Sequence, residues 1–129
     1  MARFEELEVW KRSARLSAEI YKALAGLKDY GFRDQITRAG LPIPSNVAEG
    51  YERNTNKELC LFLNYAKGSS GELRAQIYIG MEIGYIECEV GKNWLQEAEE
   101  ISKMLHGLIR TVKALSSCFD CADKAVQHF

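Results

Sequence analysis

Seven residues, Leu59, Leu63, Ala66, Ser70, Leu73, Ile77 and Gly80, follow one another at alternating steps of four and three. That rhythm puts them all on one face of an α-helix, and no strand reproduces it, because a strand repeats every second residue. Trp94, Ala98, Ile101, Leu105, Leu108, Val112 and Leu115 form a second series with the spacing of an antiparallel bundle seam. Two shorter stripes come earlier. One is Leu7, Trp10, Ala14, Ser17, Tyr21 and Leu24, within a helix expected from Phe4 to Leu27; the other is Phe32, Ile36, Ala39, Ile43 and Val47. Four amphipathic helices on short links bury their stripes most economically around one interior. The expected fold is therefore all-α, an antiparallel up-down four-helix bundle in one domain over residues 1–129.

The punctuation refines this outline. Tyr30-Gly31 separates the first two helices. Pro44 lacks an amide donor and crowds the carbonyl four residues back, so the second helix must kink or break between Leu41 and Ser45. The stripe keeps its phase across Pro42 and Pro44, which favours a kink; a break with Ser45 as a new N-cap is the alternative. Asn54 or Thr55 can cap the third helix, and Glu58 completes a capping-box pattern with Thr55. Lys67-Gly68-Ser69-Ser70-Gly71 looks like a loop in isolation. The unbroken stripe on both sides instead predicts one long helix with a small-residue waist, at about 1 kcal/mol per glycine. Gly84 and Gly91 are expected to bracket the last connection, and the tail from Ser116 to Phe129 loses the rhythm.

Chemistry is hard to find. Seventeen basic against eighteen acidic residues give a formal charge of −1, which argues against a dedicated binder of nucleic acid. Residues 1–80 carry twelve basic and ten acidic side chains and residues 81–129 five and eight, so any electropositive surface belongs to the first three helices. The N-terminus is charged from Arg3 onward and lacks a secretory apolar core, and no run approaches the roughly 20 apolar residues that cross a bilayer. A cytoplasmic location with free thiols is expected. Cys118, Cys121 and His128 have clip-like spacing but make only three ligands, one short of a structural zinc site. His106 has no catalytic partner in the sequence, Gly68 to Gly71 lacks the Lys-Ser/Thr ending of a phosphate loop, and the Glu-x-x-His pairs of di-iron bundles are missing. No enzyme, metal or cofactor is expected.

Polar residues beside the stripes are more informative. Gln35, Arg38, Asn46, Glu49, Ser69, Ser70 and Glu72 share the faces of the central helices, and buried polar groups must find partners. They are expected to form a hydrogen-bonded network that fixes helix register, or a contact between copies of the chain. Trp10, Tyr51 and Tyr65 are candidate exposed interface anchors. Lys11, Arg12, Arg15, Arg33, Arg53 and Lys57 make the alternative, a nucleic-acid face.

The run Gln35-Ile36-Thr37-Arg38-Ala39-Gly40-Leu41-Pro42-Ile43-Pro44-Ser45-Asn46-Val47-Ala48-Glu49-Gly50 resembles the signature of the four-helix bundle proteins encoded by intervening sequences in bacterial 23S ribosomal RNA genes. Flanking residues agree, from Phe4, Leu7, Val9 and Trp10 through Arg53, Lys57-Glu58, Phe62-Leu63 and Ala66 to Gly68-Ser69, Glu72-Leu73 and Gly84-Tyr85. The resemblance covers about residues 4 to 112. Thr37, Pro42, Lys67 and Gly71 depart from the residues usual in the family, and Thr37 removes a positive charge. The resemblance implies a cytosolic bundle assembled as a ring-like homopentamer, with no established activity for most members. A related branch serves diversity-generating retroelements as a strongly basic accessory protein that binds nucleic acid, a charge this chain lacks.

Overall fold

The computed structural model describes the backbone of residues 3–127 and the side chains through Leu115. A single turn of 3-10 helix, Phe4–Glu6, leads into α1, Glu8–Ala23. The second rod has two arms, α2 (Tyr30–Gly40) and α3 (Pro42–Glu52), followed by α4 (Asn56–Glu82) and α5 (Cys88–Gln127). Neighbouring rods pack in turn and α1 also packs on α5, which closes a four-rod bundle.

The second rod kinks and does not break. Leu41, between its arms, keeps helical dihedrals (φ −59°, ψ −40°), and its carbonyl still accepts from Ser45 N at 3.3 Å. Pro42 and Pro44 remove the donors that would have reached Arg38 and Gly40, so the rod bends while its stripe stays in phase. Ile36, Ala39, Ile43 and Val47 are all buried.

Each rod starts and stops for a local reason. Asp29 caps α2, accepting from Phe32 N at 3.1 Å, a cap missed in the sequence. Its second carboxylate oxygen accepts from the Tyr85 hydroxyl at 2.8 Å, tying the start of α2 to the α4–α5 turn. These bonds, the Phe32 amide first, hold the Asp29 carboxyl below its usual range, and the bond to Asp29 pushes the Tyr85 phenol up. Thr55 caps α4: its Oγ1 accepts from Glu58 N at 3.1 Å. Gly84 follows α4 at φ +82°, a conformation open to glycine, and turns the chain toward α5. Gly91 does not bracket this turn as expected. It lies inside α5, where the absent side chain admits Met81.

The core follows α4 residue for residue: Leu59, Leu63, Ala66, Ser70, Leu73, Ile77 and Gly80 are all buried. The small-residue waist runs helical throughout. Ser70 Oγ donates to Ala98 O across the α4–α5 contact at 3.0 Å, so the one buried polar side chain of α4 is satisfied where the two rods meet. On α5, Trp94, Ala98, Ile101, Leu105 and Val112 are buried, joined by Ile109, while Leu115 is 67% exposed. The expected stripe therefore leaves the core one turn early.

Candidate functional site

Helix α1 departs most from expectation. Its core side is Val9, Ser13, Leu16 and Ile20, with Ser17 and Leu24, roughly one residue around from the expected stripe. Of the other stripe members, Trp10 and Ala14 are only partly buried and Tyr21 is exposed. With Phe4, they form one wall of an open apolar groove of about 570 Å3, whose other wall is Leu41, Pro44 and Ala48 on the kinked rod. Phe4 and Trp10 meet edge to face with ring centres 5.2 Å apart, which fixes one end of the groove. Lys22 is its one charged lining residue. The apolar periodicity of α1 is thus double, one seam for the core and one for the groove.

Helix α4 is double-sided as well. Two residues after the members of its core stripe come Leu61, Tyr65, Gly68, Glu72, Ala75, Ile79 and Glu82, at the same steps of four and three. Two residues turn about 200° around a helix axis, so this second seam lies on the opposite face. Every member is exposed, Leu61, Tyr65 and Ile79 by 47%, 51% and 54%, and Ile83 extends the seam. Glu72 and Glu82 are its two charges. An apolar stripe on both sides is the pattern of a helix covered on both sides, and the subunit covers one.

The seven polar residues do not form one network within the subunit. Ser70 alone is buried. Asn46 Nδ2 donates to Pro42 O at 2.8 Å, Glu49 accepts from Arg53 at 2.6 Å and Glu72 accepts from Gln76 at 3.4 Å, all within single helices. Gln35, Arg38 and Ser69 point outward, fully or partly exposed. Of the expected aromatic anchors, Tyr65 is exposed, whereas Trp10 and Tyr51 are half-buried against the core, and that burial pushes the Tyr51 phenol up.

Three of the six cations of the expected nucleic-acid face have partners inside the subunit. Arg12 bridges α1 to α5, with Nε donating to Glu97 at 2.9 Å, a second contact to the same carboxylate, and Glu100 at 3.1 Å. These bonds hold the guanidinium charged and the Glu97 carboxyl below its usual range. Arg33 donates to Ala25 O at 3.1 Å and stacks over Tyr30; Arg53 pairs with Glu49 and Glu58 over the Phe62 ring. Lys11, Arg15 and Lys57 are exposed on the surface. Cys60 and Cys88 are thiols outside any disulfide, Cys60 Sγ donating to Ile109 O at 3.9 Å, and the Cys118, Cys121 and His128 set lies outside the described side chains. Among the described residues no group of His, Cys, Asp and Glu is placed to hold a metal, and no helix is long and apolar enough to cross a membrane.

Residues 5–107 match the family described as 23S rRNA-intervening sequence protein, four-fifths of the chain. This chain belongs to that family. A solved structure agrees: a protein of unknown function from the S23 ribosomal protein family of Bacteroides thetaiotaomicron, 25% identical. It covers 78% of this chain and 97% of its own at a TM-score of 0.74. No curated protein matches. In this 23S rRNA-intervening sequence protein, the segment from Gln35 to Gly50 that carries the resemblance supplies the kink and, through Leu41, Pro44 and Ala48, one wall of the groove. Thr37, one of the departures, is buried, and its hydroxyl donates to Arg33 O at 2.8 Å.

Proposed function

We propose that the protein is a non-enzymatic, cytoplasmic helical bundle that works as a homo-oligomer, a pentameric ring as the family resemblance implies. One observation carries this reading: a single subunit has both a concave apolar groove, on α1 and α3, and a convex apolar seam, on α4. The two surfaces are on different elements, so seating the seam of one copy in the groove of the next is a head-to-tail contact, which closes into a ring when the rotation per subunit permits. The charges of the seam, Glu72 and Glu82, and the one charge of the groove, Lys22, are of opposite sign. Light scattering and sedimentation at micromolar concentration test the reading. A defined oligomer is expected, and a monomer overturns it.

A nucleic-acid adaptor is the lesser reading, because pairing of Arg12, Arg33 and Arg53 leaves Lys11, Arg15 and Lys57 to carry it. It predicts binding to structured RNA or DNA that weakens steeply with salt, and no binding at low salt ends it.

A further inference from the structure

A different surface has the opposite chemistry. Between α4 and α5 lies a cleft of about 300 Å3 lined by Lys67, Arg74, Glu99, Ser102, Lys103 and His106. Lys67 and Arg74 are seven residues apart on α4, two turns along one face, and Lys103 and His106 stand on α5 opposite them. Three permanent cations and one carboxylate leave the cleft at +2 in a chain of net charge −1.

Its donors are only partly engaged within the subunit. Arg74 Nε is shut off from water and has no hydrogen-bond partner. The guanidinium lies near Gly71, with Nη2 4.0 Å from the place a Cβ would occupy there, an ordinary contact distance. Lys67 Nζ is 3.1 Å from His106 Nδ1. An ammonium only donates, so Nδ1 accepts and the second ring nitrogen carries the proton, as a further donor. Glu99 is 3.8 Å from Lys103 on the exposed rim.

We propose that this cleft binds a phosphate-class oxyanion, held by Arg74 and Lys67 from α4 and by Lys103, His106 and Ser102 from α5. A phosphoryl group has a charge of about −1.5 to −2 at neutral pH and several acceptor oxygens. It therefore matches both the +2 excess and donors arriving from two helices, whereas a carboxylate matches half the charge in one plane. The guanidinium fork is the preferred partner of such groups, and Lys67 adds a point charge.

The test is calorimetric titration of the intact protein with orthophosphate and, separately, with a short single-stranded oligonucleotide. Saturable binding of orthophosphate identifies a free or terminal phosphate as the source; binding of the oligonucleotide alone identifies a backbone phosphate. In either case Arg74→Ala and Lys67→Ala are each expected to weaken binding about tenfold, the effect of losing one charge-assisted hydrogen bond. Lys92→Ala, which removes a positive charge elsewhere on α5, is expected to leave affinity unchanged. Glu99→Gln is expected to tighten binding several-fold, a gain that misfolding does not mimic. Binding of neither probe overturns the proposal, as does an equal loss from Lys92→Ala and Arg74→Ala.

Discussion

Helices α4 and α5 carry inner seams of the same spacing and opposite kinds of outer face. Away from the core, α5 presents Lys92, Gln96, Glu99, Lys103, His106, Arg110 and Lys113, all exposed and all polar or charged. The outward series of α4 is Leu61, Tyr65, Gly68, Glu72, Ala75, Ile79 and Glu82. Water is a good partner for the first set and a poor one for the second. Core packing explains the inner seam of both rods and the outer seam of neither. In the oligomer we propose, what separates them is that the outer face of α4 meets a second copy of the chain and that of α5 does not.

Four measurements break or sharpen that contrast. Leu73→Ala on the inner seam of α4 removes a fully buried side chain, and denaturant unfolding is expected to show a loss of about 2–5 kcal/mol. The double variant Tyr65→Lys, Ile79→Lys on the outer seam is expected to leave the helical content intact while sedimentation shows dissociation to monomers. If instead it unfolds the subunit, the two faces of α4 are not distinct in role. The clasp between α1 and α5 comes next. Its carboxylate and guanidinium are partly buried, so Arg12→Ala is expected to cost about 1–2 kcal/mol, between an exposed and a buried pair. Because Arg12 holds the Glu97 carboxyl below its usual value, the clasp contributes fully above the ordinary carboxylate range. That contribution is lost as pH falls through the lowered value. The Arg12→Ala variant should accordingly lose less stability on acidification than the parent over that interval. The smallest effect is a gain: Gly68→Ala, on the outer seam with open space around its missing side chain, is expected to stabilise the subunit by up to about 1 kcal/mol.

Much of the fold is legible in the residue order because periodicity reports burial directly. The α4 stripe is buried at every position from Leu59 to Gly80, and the phase kept across Pro42 and Pro44 correctly marks a kink. Legibility fails on α1 for a physical reason. Val9, Leu16 and Ile20 compete with Trp10, Ala14 and Tyr21 as the apolar face, and two adjacent seams cannot be ranked by spacing alone. The candidate site suffered from the same ambiguity. The groove is made by the stripe taken for core, and the outer α4 seam, at Leu61, Tyr65 and Ile79, could have been found by asking whether any helix repeats its apolar spacing twice. Lys67, Arg74, Lys103 and His106 carried no signal of proximity, because they come together only across a helix pair.

The order of residues by itself determined where the rods run, where the second one bends and which side of α4 and α5 faces inward. Each of those follows from spacing along a single chain segment, which helix geometry converts into a face. Only the tertiary structure decided which of two seams on α1 enters the core, which arginines are neutralised by distant carboxylates and which cations share a cleft. Those outcomes depend on what another rod brings to the contact, and a one-dimensional pattern holds no information about its neighbour until the bundle closes.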